Sequence, residues 1–259
     1  MVGGNFYYIV ETATARELWV SDGTAASAIR LYEAAGAADN DLKSLTEFNS
    51  AIWFMMDDGV NGNELWTSDG TVQGTKLVKD INPGAGDSGP ANFKLFAGEL
   101  YFAANDGTTG VELWKTDGTE MGTVLLKDIR SGANGSTPGF FSPHNGTLFF
   151  SANDGTNGQE LWKSDGTEGG TVLVKNIRPG AANGAPLSFV EVNGNLLFWA
   201  NDGVTGLEPW ITDGTEMGTV MLKEISPNGD QVGPRGFAFL NGELFFNAHN
   251  GSSVGQNGE

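Results

Sequence analysis

One phrase, Glu-Leu-Trp-x-Ser/Thr-Asp-Gly-Thr, returns along the chain and restricts its fold more than any other feature. The tryptophans of ELWVSDGT, ELWTSDGT, ELWKTDGT, ELWKSDGT and EPWITDGT are Trp19, Trp66, Trp114, Trp162 and Trp210, spaced 47, 48, 48 and 48 residues apart. A fixed period of about 20 to 50 residues marks an array of one supersecondary unit that buries its faces against neighbouring copies. Five such units take up nearly all of the 259 residues.

Inside a unit, four short apolar or aromatic-rich runs are separated by turn chemistry, which is the signal of strands rather than helices. Strand 1 is a run such as Phe93 to Phe96 or Phe237 to Leu240, followed by Ala97-Gly98 or Asn241-Gly242, pairs that favour tight hairpins. Strand 2 follows as LYFAA, an NDGTTGV loop leads to strand 3 (ELWKTD), and a DGTEMGT turn leads to strand 4 (TVLLKDI). Longer Pro/Gly/Asn/Ser loops, such as Asn82 to Ala91 and Arg178 to Pro186, then deliver the chain to the next strand 1. Short hairpin connections make each unit a four-stranded antiparallel meander, and radial repetition of such sheets is the propeller solution to the edge-strand problem. The expected fold is all-β: one five-bladed β-propeller domain over 1–259 with blades of ~48 residues, a stacked hairpin solenoid being the alternative. The blades are 5–34 plus 235–241, 45–81, 92–129, 138–177 and 187–225, with 242–259 a spare strand and tail. N- and C-terminal strands are expected to share one blade. Strand 2 then occurs six times and the others five, so a monomer is expected, with strand exchange between molecules as the alternative.

The string ELWxSDGTxxGTxLVKDI, nearly verbatim at 64–81, 112–129, 160–177 and 208–225, resembles the ELWxxDGT repeat family of bacterial, mostly cell-surface or exported proteins. The order strand 1, NG turn, aromatic strand 2, aromatic strand 3 and long loop also resembles kelch blades, which implies that strand 1 lines the axis. The first unit departs from the pattern, with Glu11-Thr12-Ala13 in place of Asn-Asp-Gly and Ala25-Ala26-Ser27-Ala28 in place of the xxGT turn. The resemblance implies a repeat scaffold in an extracellular setting and carries no catalytic residue. Met1 to Val10 has neither a basic n-region nor an apolar h-region, so an export signal would lie outside this sequence.

Charge removes whole classes of partner. With 14 Lys and Arg against 32 Asp and Glu, the net charge of -18 repels phosphate backbones and anionic lipid heads, and no basic cluster offsets it. Nucleic acid and membrane are therefore not expected partners. No cysteine is present, which excludes disulfides, thiolate catalysis and cysteine-bound metal.

The repeated carboxylates have two readings. Asp22, Asp69, Asp117, Asp165 and Asp213 sit in SDGT or TDGT turns, Asp58, Asp106, Asp154 and Asp202 in the xDG loops, and Glu17, Glu64, Glu112, Glu160 and Glu208 open strand 3. The structural reading has Asp capping amides two residues on while Gly supplies positive φ. The functional reading is calcium, with Asp58, Asp106, Asp154 and Asp202 as candidate ligands and, in the third unit, Glu112 and the carbonyls of Gly107 to Val111 completing the set. These positions are 14 of the 32 acids, so much of the acidity reduces to repeated turn chemistry. The motif tryptophans are expected to fill the space between adjacent sheets. Trp53 and Trp199 occur once each and are set apart as site candidates. Lys79, Lys127, Lys175 and Lys223 are expected to pair on the surface with Asp80, Asp128, Asn176 and Glu224. Two histidines, His144 and His249, and only Glu47 and Glu191 on the presumed inner strands offer no catalytic constellation, so the chain is read as a non-enzyme.

In a meander the strand 2–3 loops and the blade-to-blade loops emerge on one face and the NG and SDGT turns on the other. The first face holds nearly all the differences between units: NPGAGDSGPA, RSGANGSTPG, RPGAANGAPL and SPNGDQVGPR share a Gly/Pro frame and vary within it. Loops on a rigid scaffold carry a disproportionate share of binding residues. The expected ligand contacts are Asp87, Arg130, Asn134, Arg178, Asn183, Asp230 and Arg235, with Trp199 as the aromatic. Short polar side chains beside an aromatic, repeated around a ring, suit multivalent carbohydrate binding by an extracellular recognition module without a cofactor. A structural or protein-interaction scaffold in a bacterial surface protein, and calcium-dependent folding or adhesion, are the competing readings.

Overall fold

Turn chemistry sets the strand boundaries. The computed structural model describes residues 3–35, 43–225, 235–240 and 243–247. Asp230, the Asn241-Gly242 pair and the tail beyond 247 lie outside the described residues, and Arg235 is described only as the first residue of a strand. The chain forms two compact units, 1–138 and 139–259.

The first unit holds a three-stranded sheet of β1 (Phe6–Glu11), β2 (Ala15–Ser21) and β3 (Ile29–Ala35). A four-stranded sheet of β4 (Lys43–Phe48), β5 (Ala51–Asp57), β6 (Asn63–Ser68) and β7 (Lys76–Lys79) follows. Next comes one of β8 (Ala91–Phe96), β9 (Glu99–Asn105), β10 (Val111–Thr116) and β11 (Val124–Lys127). The second unit repeats the arrangement with β12 (Gly139–His144), β13 (Thr147–Asn153), β14 (Gln159–Ser164) and β15 (Val172–Lys175). Its next sheet is β16 (Leu187–Val192), β17 (Asn195–Asn201), β18 (Leu207–Thr212) and β19 (Val220–Met221), and a hairpin of β20 (Arg235–Leu240) and β21 (Glu243–Asn247) follows. Every sheet is antiparallel in sequential order, the meander that the turn spacing predicts.

Closure of the first blade by the last strand 1 is not among the pairings of the described residues. The strand at 235–240 pairs with 243–247, as strand 1 with strand 2 of its own repeat, and among the described residues the N-terminal sheet holds its three local strands. A two-residue connection places the hairpin partner immediately to hand, whereas pairing with the N-terminal strand would close a loop of more than 200 residues.

The SDGT phrase is a self-contained turn. Asp69, Asp117, Asp165 and Asp213 each accept the amide of the threonine two residues on, at 2.8 to 2.9 Å. The buried hydroxyls of Ser68 and Thr75 meet at 2.6 Å, and the equivalent pairs in the next three sheets at 2.7 to 2.8 Å. A Cβ on Gly122 would stand 2.0 Å from Asp117 Oδ1, which is why xxGT admits no side chain there. In the first repeat, Ser27 at the end of a short 3-10 turn replaces this glycine chemistry, donating to Asp22 Oδ1 at 2.5 Å.

Period-two alternation turns the Leu and the Trp of each motif to opposite sheet faces. Leu65 packs with Trp53, Val78 and Ile81 against Leu100, Phe102, Ala104 and Trp114 of the following sheet. Trp66 points the other way, into a cluster with Leu18, Val20, Leu31 and Phe54. In the second unit Leu161, Val174 and Phe149 meet Leu196, Phe198 and Trp210 in the same manner. Trp66, Trp114 and Trp210 therefore fill the space between sheets, as the repeat implies, while Trp19 meets Tyr8 and Glu17 of its own sheet. Strand 4 carries one extra residue opposite Leu-Trp, a bulge repeated in the second to fourth sheets, and that residue (Val78, Leu126 or Val174) is turned into the core. Two of the lysines reach past their sequence neighbours: Lys79 donates to Thr123 O at 2.7 Å and Lys175 to Glu216 O at 3.1 Å, tying adjacent sheets together.

Truncating Phe102, fully buried between two sheets, is expected to cost about 3 to 5 kcal/mol in urea unfolding. Met121→Ala, at a residue 91% exposed, is expected to change stability by less than about 0.5 kcal/mol.

Candidate functional site

The glutamate of ELW builds the loop face. Alternation puts Glu64 on the same side as Trp66, and Glu64, Glu112, Glu160 and Glu208 all have no solvent exposure. Glu64 accepts the amides of Ile81 and Asn82 at 2.8 and 3.1 Å and the Ser88 hydroxyl at 2.6 Å. Glu112 accepts the amides of Ile129, Arg130 and Ser136 at 3.0, 3.1 and 2.7 Å and the Ser136 hydroxyl at 2.5 Å. Glu160 takes the amides of Ile177, Arg178 and Gly184, and Glu208 that of Ile225. In the second to fourth sheets the carboxylate thus fixes both ends of the loop leading to the next sheet. Burial pushes Glu64 and Glu160 up to about 7, and Glu112 upward as well, outweighing the hydroxyl and amide donors that favour the ionised form.

Several expected ligand contacts turn out to belong to this frame. Asp87 Oδ1 accepts the Asn63 amide at 2.7 Å, and Asn183 Oδ1 accepts the Gln159 amide at 2.9 Å. Asp and Asn interchange at this slot because only the side-chain oxygen is used. The slot before the Pro/Ser-Gly pair lies over the next sheet's strand 2–3 loop. A Cβ on Gly107 would stand 2.4 Å from Asn82 Oδ1, and one on Gly203 would stand 2.8 Å from Arg178 Nε. Arg178 is thereby laid flat across the loop at 201–207 and has no ion pair among the described residues.

Trp199 is corrected as a ligand contact. It is 1% exposed, packed edge-on against Phe246 with ring centroids 5.2 Å apart, so neither face is open to stack on a sugar. Strand parity turns this residue inward, which its occurring only once does not reveal. The calcium set also does not assemble. Asp106 Oδ1 accepts the amides and hydroxyls of Thr108 and Thr109, all within 3.0 Å, while Glu112 faces the other loop. Asp58, Asp154 and Asp202 accept their own loop amides in the same way. Burial acts to raise these four aspartates, yet the amide donors win and hold them below the usual carboxylate range. Among the described residues no group of three or more His, Asp and Glu is placed to hold a metal ion.

The side chains free to meet a ligand are few. Asn134 is exposed, and Arg130 and Arg178 are half-buried with no ion pair among the described residues. Sequence reading missed Phe140, which is 58% exposed and sits in the left-handed region at φ 56° inside a bulge of β12. The same bulge slot holds Asn92 and Ser188, also at positive φ. Asn tolerates that conformation, whereas a bulky aromatic is strained there by about 1 to 2 kcal/mol. The signal was present as Phe in a slot that other units give to Asn or Ser, but its meaning depends on φ.

No family model and no curated protein matches this chain. Among solved structures, it is similar to a puromycin hydrolase serine-to-alanine mutant complexed with PGG, at 16% identity and a TM-score of 0.53. That match covers 95% of this chain and 42% of the hydrolase chain. A second structure of puromycin hydrolase matches at 17% identity and TM-score 0.48, covering 95% and 42% of the two chains. TolB from Acinetobacter baumannii matches at 13% and 0.47, covering 96% and 62%. The chain spans less than half the length of the hydrolase it matches. The first likeness establishes an all-β, β-propeller-like repeat architecture, and at this identity it speaks to fold alone.

The raised glutamates set a pH dependence. Between the ordinary value of 4.5 and about 7 the folded chain holds protons that the unfolded chain has released. Their contribution to stability is therefore complete below 4.5 and is lost as pH rises through 7, each tenfold gain in proton affinity on folding being worth about 1.4 kcal/mol. The turn aspartates act in the opposite sense, because their depressed values withdraw stability only below their ordinary 3.8. The melting temperature is expected to be several degrees higher at about pH 5 than at about pH 8, and Glu64→Gln with Glu160→Gln is expected to flatten that slope.

Proposed function

We propose that the chain is a non-enzymatic extracellular recognition module that binds carbohydrate through its inter-sheet loops. The observation that carries the reading is Phe140, an exposed aromatic held in a conformation the rest of the repeat reserves for small or polar residues. Strain retained in a folded chain concentrates where it serves a ligand. An exposed ring offers a sugar its apolar face, while a guanidinium such as that of Arg178 supplies hydrogen bonds to hydroxyls. Loops latched at both ends by buried glutamates are pre-organised, which lowers the entropy cost of binding. The finer fold reading belongs to the same proposal: a five-bladed propeller whose last strand 1 completes the first blade, presenting similar weak sites for avidity.

Two experiments test these statements. On a glycan array, run with calcium and with chelator, labelled protein is expected to bind a related set of glycans equally in both buffers. Phe140→Asn is expected to weaken binding at least tenfold while raising stability by about 1 kcal/mol, because strain and contact leave together. Silence across the array overturns the carbohydrate reading in favour of a scaffold with protein partners. For the ring, removing 243–259 is expected to leave the monomeric state unchanged and to lower the melting temperature only by the loss of the Phe246 contact on Trp199. Removing 235–259 is expected to lower the melting temperature further and promote association through an unpaired edge. Identical behaviour of the two truncations overturns closure.

A further inference from the structure

The turn face carries one departure from the repeat that the loop reading does not use. Cross-strand register places Thr67 opposite Trp53 and Lys163 opposite Phe149, so Thr67 and Lys163 occupy the same position in two repeats. Lys163 reaches the turn of the next sheet and donates from Nζ to Gly214 O at 2.8 Å. On strand 2 of the first sheet Tyr7 packs on Gly70, its hydroxyl 2.7 Å from where a Cβ would stand, as Phe149 packs on Gly214 and Trp53 and Asn49 on Gly118. Between the second and third sheets no lysine donates to Asp117 O or Gly118 O among the described residues, although Asn49 Nδ2 donates to Asp117 O at 3.4 Å. Thr67 is too short, and it donates its hydroxyl back to Ile52 O at 3.0 Å. No side chain donates to the Gly118 carbonyl, the counterpart of Gly214 O, among the described residues. Trp53 stands 3.8 Å from where a Cβ on Gly118 would lie, but its indole N–H is on Phe48 O at 3.1 Å and donates nothing to the Gly118 carbonyl.

What remains is a cleft of about 310 Å3 lined by Thr67, Leu77, Val78, Gly118, Thr119 and Glu120, with Lys76 also lining it. We propose that this cleft binds an aliphatic primary ammonium in the place where the repeat elsewhere inserts its own lysine. The stem lies along Leu77 and Val78, and the ammonium donates to the Gly118 carbonyl with the Glu120 carboxylate alongside. Such a pairing of apolar stem and polar head is how lysine itself packs. A net charge of -18 raises the local concentration of cations. Lys76 is the one like charge in the lining, so a ligand carrying a carboxylate at its far end is the better fit.

The test is titration of the isotope-labelled chain with cadaverine, 6-aminohexanoate and a short peptide containing one lysine, followed by amide NMR. Saturable shifts at Thr67, Leu77, Gly118 and Thr119 are expected, with 6-aminohexanoate binding more tightly than cadaverine. Tighter binding of the free amines than of the peptide assigns a small molecule as the source, and the reverse assigns a lysine of a partner protein. Thr67→Lys is expected to fill the cleft and weaken binding at least tenfold. Should that variant fail to fold, Lys163→Thr decides, because it is expected to add a second set of saturable shifts around Gly214. Shifts that do not saturate, equal affinity in folded Thr67→Lys, or no new shifts in Lys163→Thr overturn the proposal.

Discussion

The rest of the structure depends on a buried carboxylate. At the start of strand 3 in the second to fourth sheets, a glutamate with no access to water takes the amides at both ends of the following loop or, in the second sheet, the amides at one end and a serine hydroxyl at the other. A buried carboxylate without donors is prohibitive, and buried amides without acceptors cost about 1 to 3 kcal/mol each. The two needs answer each other, so sheet and connection fold together or not at all. The first repeat shows the alternative: Glu17, partly accessible, accepts Trp19 Nε1 at 2.8 Å and Arg30 Nη1 at 2.7 Å. Those partners are side chains of its own sheet.

Sheet-to-sheet packing supplies the larger energy. A buried aromatic removes about 150 to 250 Å2 from water, roughly 4 to 6 kcal/mol gross at ~25 cal/mol per Å2, against about 1 kcal/mol net for one turn hydrogen bond. In the second to fourth sheets Leu-Trp delivers apolar surface to both faces, and the bulge opposite it swings a strand 4 residue into the core. The glutamate and the turn aspartates then decide geometry rather than total stability. That division explains how loop sequences vary while the frame stays constant.

Much of the frame was legible in the residues. Four runs per period, the hairpin pairs, the Asp-Gly turns and the tryptophan between sheets all follow from local chemistry and parity, and the strands appear where those rules put them. The site was less legible. Asp87 and Asn183 look like variable loop residues, yet each gives its side-chain oxygen to a strand amide 24 positions earlier, a distance no local rule spans. Trp199 stands out by occurring once, and its strand turns it inward. Phe140 drew no notice because its exposure and positive φ arise from a bulge in the pairing of β12 with β13.

By itself, then, the sequence determined the period, the strand order within each repeat, the turn types and the residues between sheets. These rest on interactions between neighbours in the chain or on alternation along a strand. Only the tertiary structure decided which carboxylates are buried, which loop side chains belong to the scaffold and which face outward, and where a missing lysine leaves a cleft. Those outcomes depend on contacts between sheets, where a residue's partner is set by packing rather than by spacing.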